Sequence, residues 1–236
     1  MRRASIVVVL SAVLLVLGFC GVLVVSFGYR GPVTDAAGRC APRAVEETGA
    51  VNLVSAIYLN YRLYDTLFEI LIFSVAVLGV RFYLIGRAKE EVVERIPESQ
   101  VVRTSADLLF PIILLIGIYL TLSGHFSPGG GFSGGVVAGT GLLLCAVALG
   151  SNVVGRRFRE APLERLEWAI LLAILFLAVF PISLRFVPLT DLLPQGKAGN
   201  MLSGGSILIY NVLIGLKVFI GTWVVIHYFL RHRGEI

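Results

Sequence analysis

Three groups of residues in this 236-residue chain have the type and spacing to do chemistry. The first is Asp65 and Glu69, four apart and so on one face of a helix, with Arg62 one turn before Asp65. A carboxylate that enters the hydrocarbon costs about 2.5 to 3.5 kcal/mol on the translocon scale and is usually kept for an ion or proton route. The competing reading is an interfacial cap, with Asp65 at a helix start and Glu69 still among headgroups. The second is His125, the single ionisable side chain of Ser123-Gly-His-Phe-Ser-Pro-Gly-Gly-Gly-Phe-Ser-Gly-Gly135. Histidine is the residue type whose charge changes near neutral pH. The glycines of Pro128, Gly129, Gly130 and Gly131 allow backbone turns closed to other residues and close helix approach, so the loop reads as a shaped backbone. The third is Lys217, near the middle of an apolar run and roughly 15 Å from each edge of the hydrocarbon core. It must find a partner, be neutral or face water. Both a polar path across the bilayer and pairing with a neighbouring subunit's carboxylate are open. His227, near the end of the same run, reads as an interface residue rather than a relay.

What holds these groups is a membrane. The chain is 57% hydrophobic and 15% charged, with mean hydropathy +0.88, far from a soluble domain. Its net charge of +5 is scattered at the ends of apolar segments, which excludes a nucleic-acid surface and fits membrane orientation. Cys20, Cys40 and Cys145 lack metal-ligand spacing, and there is no P-loop or dinucleotide fingerprint. No cofactor, metal or catalytic centre is expected, so the chain is not an enzyme by itself.

The elements follow from hydropathy. Ile6–Phe27 is long enough to span and reads as an uncleaved helix. Val51–Arg62 suits a short helix near the interface, and Thr66–Ile85 spans. Residues 87–107 form a charged connector around Pro97. Leu108–Leu122 and Val136–Leu149 flank the glycine loop and are short, so part of that loop should continue them. Ala169–Phe186 and Ser206–Leu230 complete the set. The fold class is therefore an all-α integral membrane protein of six transmembrane helices, with residues 1–98 a two-helix region and 99–236 a four-helix domain. The segments holding Arg2, Arg3, Arg87 to Arg103, Arg156 to Arg165, Arg231 and Arg233 collect twelve of the twenty Lys and Arg on one side. By the positive-inside rule both termini are cytoplasmic, and the His125 loop faces outward.

Tyr119-Leu-Thr-Leu-Ser-Gly-His-Phe-Ser-Pro-Gly-Gly-Gly-Phe-Ser-Gly-Gly135, with Gly204 to Val218 downstream, closely resembles the B subunit (MrpB, also MnhB) of multisubunit Na+/H+ antiporters. It also resembles the corresponding subunit of membrane-bound hydrogenases and sulfane reductases. Asn52 to Val80, with Arg62-Leu-Tyr-Asp-Thr-Leu-Phe-Glu69, looks like the C-terminal end of the antiporter's MrpA chain, which in the hydrogenases is a separate small protein, MbhE. Leu63 and Phe68 stand where that family string has glycine. The resemblance implies a fusion of two neighbouring subunits in the plasma membrane. It further implies a part in a Na+/H+-translocating module, assembled with other Mrp-type antiporter or membrane-bound hydrogenase subunits, and a host complex that is free-standing or driven by a redox module. Asp65, Glu69 and His125 map onto motif positions on its cation route. Lys217 joins them on membrane depth alone. The alternative is a structural subunit that fastens larger antiporter chains without conducting.

Overall fold

The computed structural model describes residues 43–85, 99–150 and 160–231, apart from a few positions between 185 and 192, together with isolated positions within 13–24 and 154–158. Every secondary-structure element among them is helical. In order these are α1 (Leu53–Ala56), a π-helical segment (Ile57–Tyr61), α2 (Leu63–Ile85), α3 (Gln100–Ser123), α4 (Gly131–Leu149), α5 (Glu160–Ser183) and α6 (Ser206–Arg231). Five of them, α2 to α6, are long and apolar enough to cross a bilayer, making this a multi-pass membrane protein. Most of the expected first span, Ile6–Phe27, lies outside the described residues, as do most of the charged connector and Arg185.

Two helix starts differ most from the hydropathy reading. Helix α3 begins at Gln100, so residues 100–107 of the connector form about two helical turns. Ser99 caps them, its hydroxyl accepting from the Val101 N–H at 3.3 Å. Helix α5 begins at Glu160 instead of Ala169. Pro162 falls in its first turn, where a missing N–H costs nothing. The charges that hid this start from hydropathy, Glu164 and Glu167, are met by cations on other helices. The glycine run divides as its short flanks required: α3 ends at Ser123 and α4 starts at Gly131, leaving residues 124–130 as the turn.

Helix α6 is the hub, touching α2, α3, α4 and α5. Half of its spanning window is buried, as is half of α4's, against 11% for α3. Within a bilayer such contact is driven by close packing and hydrogen bonds rather than by hydrophobic burial, which favours small residues. Gly131 and Gly135, four apart on one face of α4, meet the carbonyls of Asn211 and Gly215, four apart on α6; a Cβ at Gly131 would overlap the Asn211 oxygen. Opposite, Leu67 and Ile70 of α2 and Ile174 of α5 join Ile214 and Val218 of α6 in one apolar cluster. Lys217, Tyr210 and Asn211 are carried in that hub, and all three are buried.

Candidate functional site

Lys217 is the twelfth residue of the 25-residue span Ser206–Leu230 and is 1% exposed. Its ammonium donates to Glu167 of α5, itself buried, and lies 5.8 Å from the ring centroid of Phe73 on α2. The lysine therefore has an anion within its own chain. One turn earlier on α5, Glu164 takes a two-pronged ion pair from Arg81 of α2, with N–O distances of 2.5 and 2.7 Å. Arg81, Glu164 and Glu167 line a small cleft with Trp223, His227 and Tyr228 of α6.

The other end of the bundle is organised by the glycine turn. Asn211 Oδ1 accepts from the Gly131 N–H at 2.9 Å and from the Tyr58 hydroxyl at 3.3 Å. Ser55 Oγ donates to the Gly124 carbonyl at 2.6 Å and lies 3.0 Å from the Tyr58 hydroxyl. Asn52 donates to the carbonyls of Gly124 and Ser127 at 2.8 and 2.9 Å while its Oδ1 caps α1. Gly130 has φ +153, a conformation that favours glycine, and a Cβ there would strike the Tyr58 hydroxyl. Burial pushes the Tyr58 hydroxyl above its ordinary pKa; the Ser55 contact opposes this and the Glu69 charge adds to it. His125 is fully enclosed in this turn. Its Nε2 lies 3.2 Å from the Asn200 carbonyl and its ring packs edge-on to Phe126.

Asp65 and Glu69 both lie on α2, on the face the spacing predicts. Asp65 is held by Arg62 in an i,i+3 ion pair. Glu69, about 9 Å along the helix from Leu63, is exposed on the surface of the chain. The structure thus gathers Tyr58, Asn211 and the glycine turn on one side and Lys217 with Glu167 on the other. Pro128 and Gly129 lie in the turn itself, where the Gly130 N–H donates to the Leu120 carbonyl at 3.0 Å.

Residues 101–224 match the family described as a domain related to the MnhB subunit of Na+/H+ antiporter. The chain belongs to this MnhB family. Over 155 residues it is 28% identical to a probable K(+)/H(+) antiporter A/B subunit of Rhizobium meliloti (strain 1021), covering 56% of this chain and 16% of that protein. The MnhB-family chain thus spans under a fifth of that relative. Among solved structures, a chain of the archaeal membrane-bound sulfane sulfur reductase, a respiratory membrane complex, aligns with TM-score 0.70 and 30% identity over 98% of this chain and 99% of its own. A chain of the Mrp complex from Dietzia sp. DQ12-45-1b shares the fold at TM-score 0.66 and 24% identity, over 98% of this chain and 27% of that one.

Sequence reading missed four residues of this MnhB-family site. Hydropathy leaves Glu164 and Glu167 ahead of the span; the signal that marks them is Lys217 itself, since a buried ammonium requires an anion. Their spacing of three puts both on one face of α5. Tyr58 and Asn211 carry no charge, so nothing in hydropathy separates them from other polar residues near a membrane surface.

Proposed function

We propose that this MnhB-family chain is a subunit of a Na+/H+-translocating membrane complex and supplies charged residues to an ion path through it. The observation that carries the reading is Lys217, an ammonium at mid-span whose ion-pair partner, Glu167, also lines a cleft at the bundle end. Buried ionisable groups inside a membrane are costly, and they typically mark ion or proton routes. Asp65 and Glu69 add a carboxylate pair on α2 whose hard oxygens suit Na+ or H+, and His125 adds a titratable group at the glycine turn. The partners of such a chain are other antiporter-type subunits, as in the complexes to which its structural neighbours belong. The fusion of an A-type end, residues 1–98, with a B-type domain, residues 99–236, is supported by the match to a relative whose name joins A and B. The arrangement of six spans with cytoplasmic termini rests on the Ile6–Phe27 run and the distribution of Lys and Arg.

The test uses the assembled complex in membrane vesicles, with assembly followed by native electrophoresis. Glu69→Gln is expected to abolish Na+ or H+ movement with assembly intact. The pair Glu167→Gln with Lys217→Met removes both buried charges at similar volume, which a purely structural ion pair tolerates. An assembled double variant without transport supports conduction; normal transport by it and by Glu69→Gln overturns conduction.

A second reading is a non-conducting subunit that fastens larger chains together. The specific observation behind it is α3, only 11% of whose spanning window is buried within the chain, leaving a broad apolar face for a neighbour. Under that reading Glu69→Gln transports normally, whereas changes at Gly129, Gly130 or Gly131 stop assembly.

A further inference from the structure

None of the residues lining the cleft between α2, α5 and α6 falls in the stretches that carry the family resemblance, Asn52 to Val80, Tyr119 to Gly135 and Gly204 to Val218. It lies at the bundle end opposite that turn. Arg81 is close to the C-terminus of α2, Glu164 to the N-terminus of α5, and His227 and Tyr228 to the C-terminus of α6. These three helix ends adjoin the charged connector, the basic Gly155–Pro162 turn and the Arg231–Arg233 tail, the end that the distribution of Lys and Arg assigns to the cytoplasm.

Glu167 belongs to two environments at once. It lines the open cleft and it holds the ammonium of Lys217, which is deeper in the membrane and shielded from solvent. The cleft walls carry two carboxylates, Glu164 and Glu167, and these are matched by two cations, Arg81 and Lys217. The remaining titratable groups facing it are His227 and Tyr228, both on α6. A Na+ ion needs several oxygens that are not already neutralised, whereas a proton needs one lone pair. The charge balance therefore favours H+ over Na+ here.

We infer that this cleft is the cytoplasmic access route by which water-borne protons reach Glu167, the ion-pair partner of Lys217. The exchange step is an acid–base one. A proton leaves a hydronium in the cleft and forms an O–H bond at the Glu167 carboxylate, leaving water. The pair passes from net neutral to one positive charge, and the reverse step restores it. Arg81 acts as a positioning residue, holding Glu164 to the wall. The inference deepens the conduction reading and rests on it.

The experiment uses the assembled complex with Cys20, Cys40 and Cys145 replaced by Ala and one cysteine placed on the cleft wall, Val224→Cys. The probe is a membrane-impermeant, positively charged methanethiosulfonate applied to inverted or right-side-out vesicles. The expected result is labelling from the cytoplasmic face alone and a loss of H+ movement once labelled. Ile72→Cys, on the outer face of α2, is the unlabelled control. Leu163→Cys, on the opposite wall, gives the same reading should Val224→Cys not assemble. No labelling from the cytoplasmic face, or labelling with H+ movement unchanged, overturns the access route. Either outcome is separate from the conduction reading, whose failure appears as normal transport by Glu69→Gln and by the neutral Glu167/Lys217 double variant.

Discussion

Lys217 of α6 and Glu167 of α5 form an ion pair fifty residues apart in sequence and buried between two spanning helices. Removing one member leaves the other charge buried and unpaired. Glu167→Gln and Lys217→Met should each destabilise the folded chain by about 3 to 5 kcal/mol, while the double variant recovers most of that loss. Thermal unfolding of the detergent-solubilised chain measures all three. Additive losses in the double variant would mean that the two side chains are not coupled.

The α4–α6 contact should tolerate no added carbon at Gly131. Its Cβ would overlap the Asn211 carbonyl, a backbone atom that moves only if the two helices part. Gly131→Ala is expected to cost about 1 to 3 kcal/mol as an overpacking change. Gly79→Ala is the control, because a Cβ there meets nothing within 4 Å, and a helical glycine replaced by alanine gains roughly 0.5 to 1 kcal/mol. Opposite signs of the two shifts in unfolding temperature are the expected outcome.

Five of the spans, the short helix ahead of α2 and the glycine turn were legible because apolar run length and glycine spacing are local properties. Lys217 was legible as a problem, and its solution was not, because Glu167 reaches it only once α5 and α6 pack. The same charge made α5 look as if it began nine residues later than it does: averaged hydropathy counts Glu164 and Glu167 as solvated, whereas Arg81 and Lys217 neutralise them. Tyr58 and Asn211 were invisible for a different reason. Their role is to hold Gly131 and the turn in place from two distant segments, and no periodicity records such a contact. His125 reads from sequence as a group at an outer mouth; in the folded chain it is enclosed by Phe126, Gly204 and the Asn200 carbonyl.

Alkaline pH should loosen the turn through Tyr58. Burial holds its hydroxyl above the ordinary value of 10.0, so the folded state keeps the proton that it donates to Asn211. The folded pKa lies above the unfolded one, so this contribution is full below pH 10.0 and is lost as pH rises through the higher folded value. Tyr58→Phe should lower stability by about 0.5 to 1.5 kcal/mol near neutral pH. The gap between wild type and variant should narrow above pH 10.0. A gap constant with pH would show that the phenol does not titrate against folding.

Asn211 is expected to be the more costly residue of that pair. Its Oδ1 serves both the Gly131 N–H and the Tyr58 hydroxyl, and it is fully buried. Asn211→Ala strands the buried Gly131 N–H, at about 1 to 3 kcal/mol, and leaves the Tyr58 hydroxyl only its Ser55 contact. Tyr58→Phe strands none, because Asn211 keeps the Gly131 N–H. Residues sharing one hydrogen-bond network couple, so the losses in the double variant should fall short of additive by about 0.5 kcal/mol or more. Hydrogen exchange locates the damage: Asn211→Ala should speed exchange across residues 124–135 and leave the α5 segment carrying Glu164 and Glu167 unchanged. Faster exchange at both ends would mean that Asn211 holds the whole bundle together and not the turn alone.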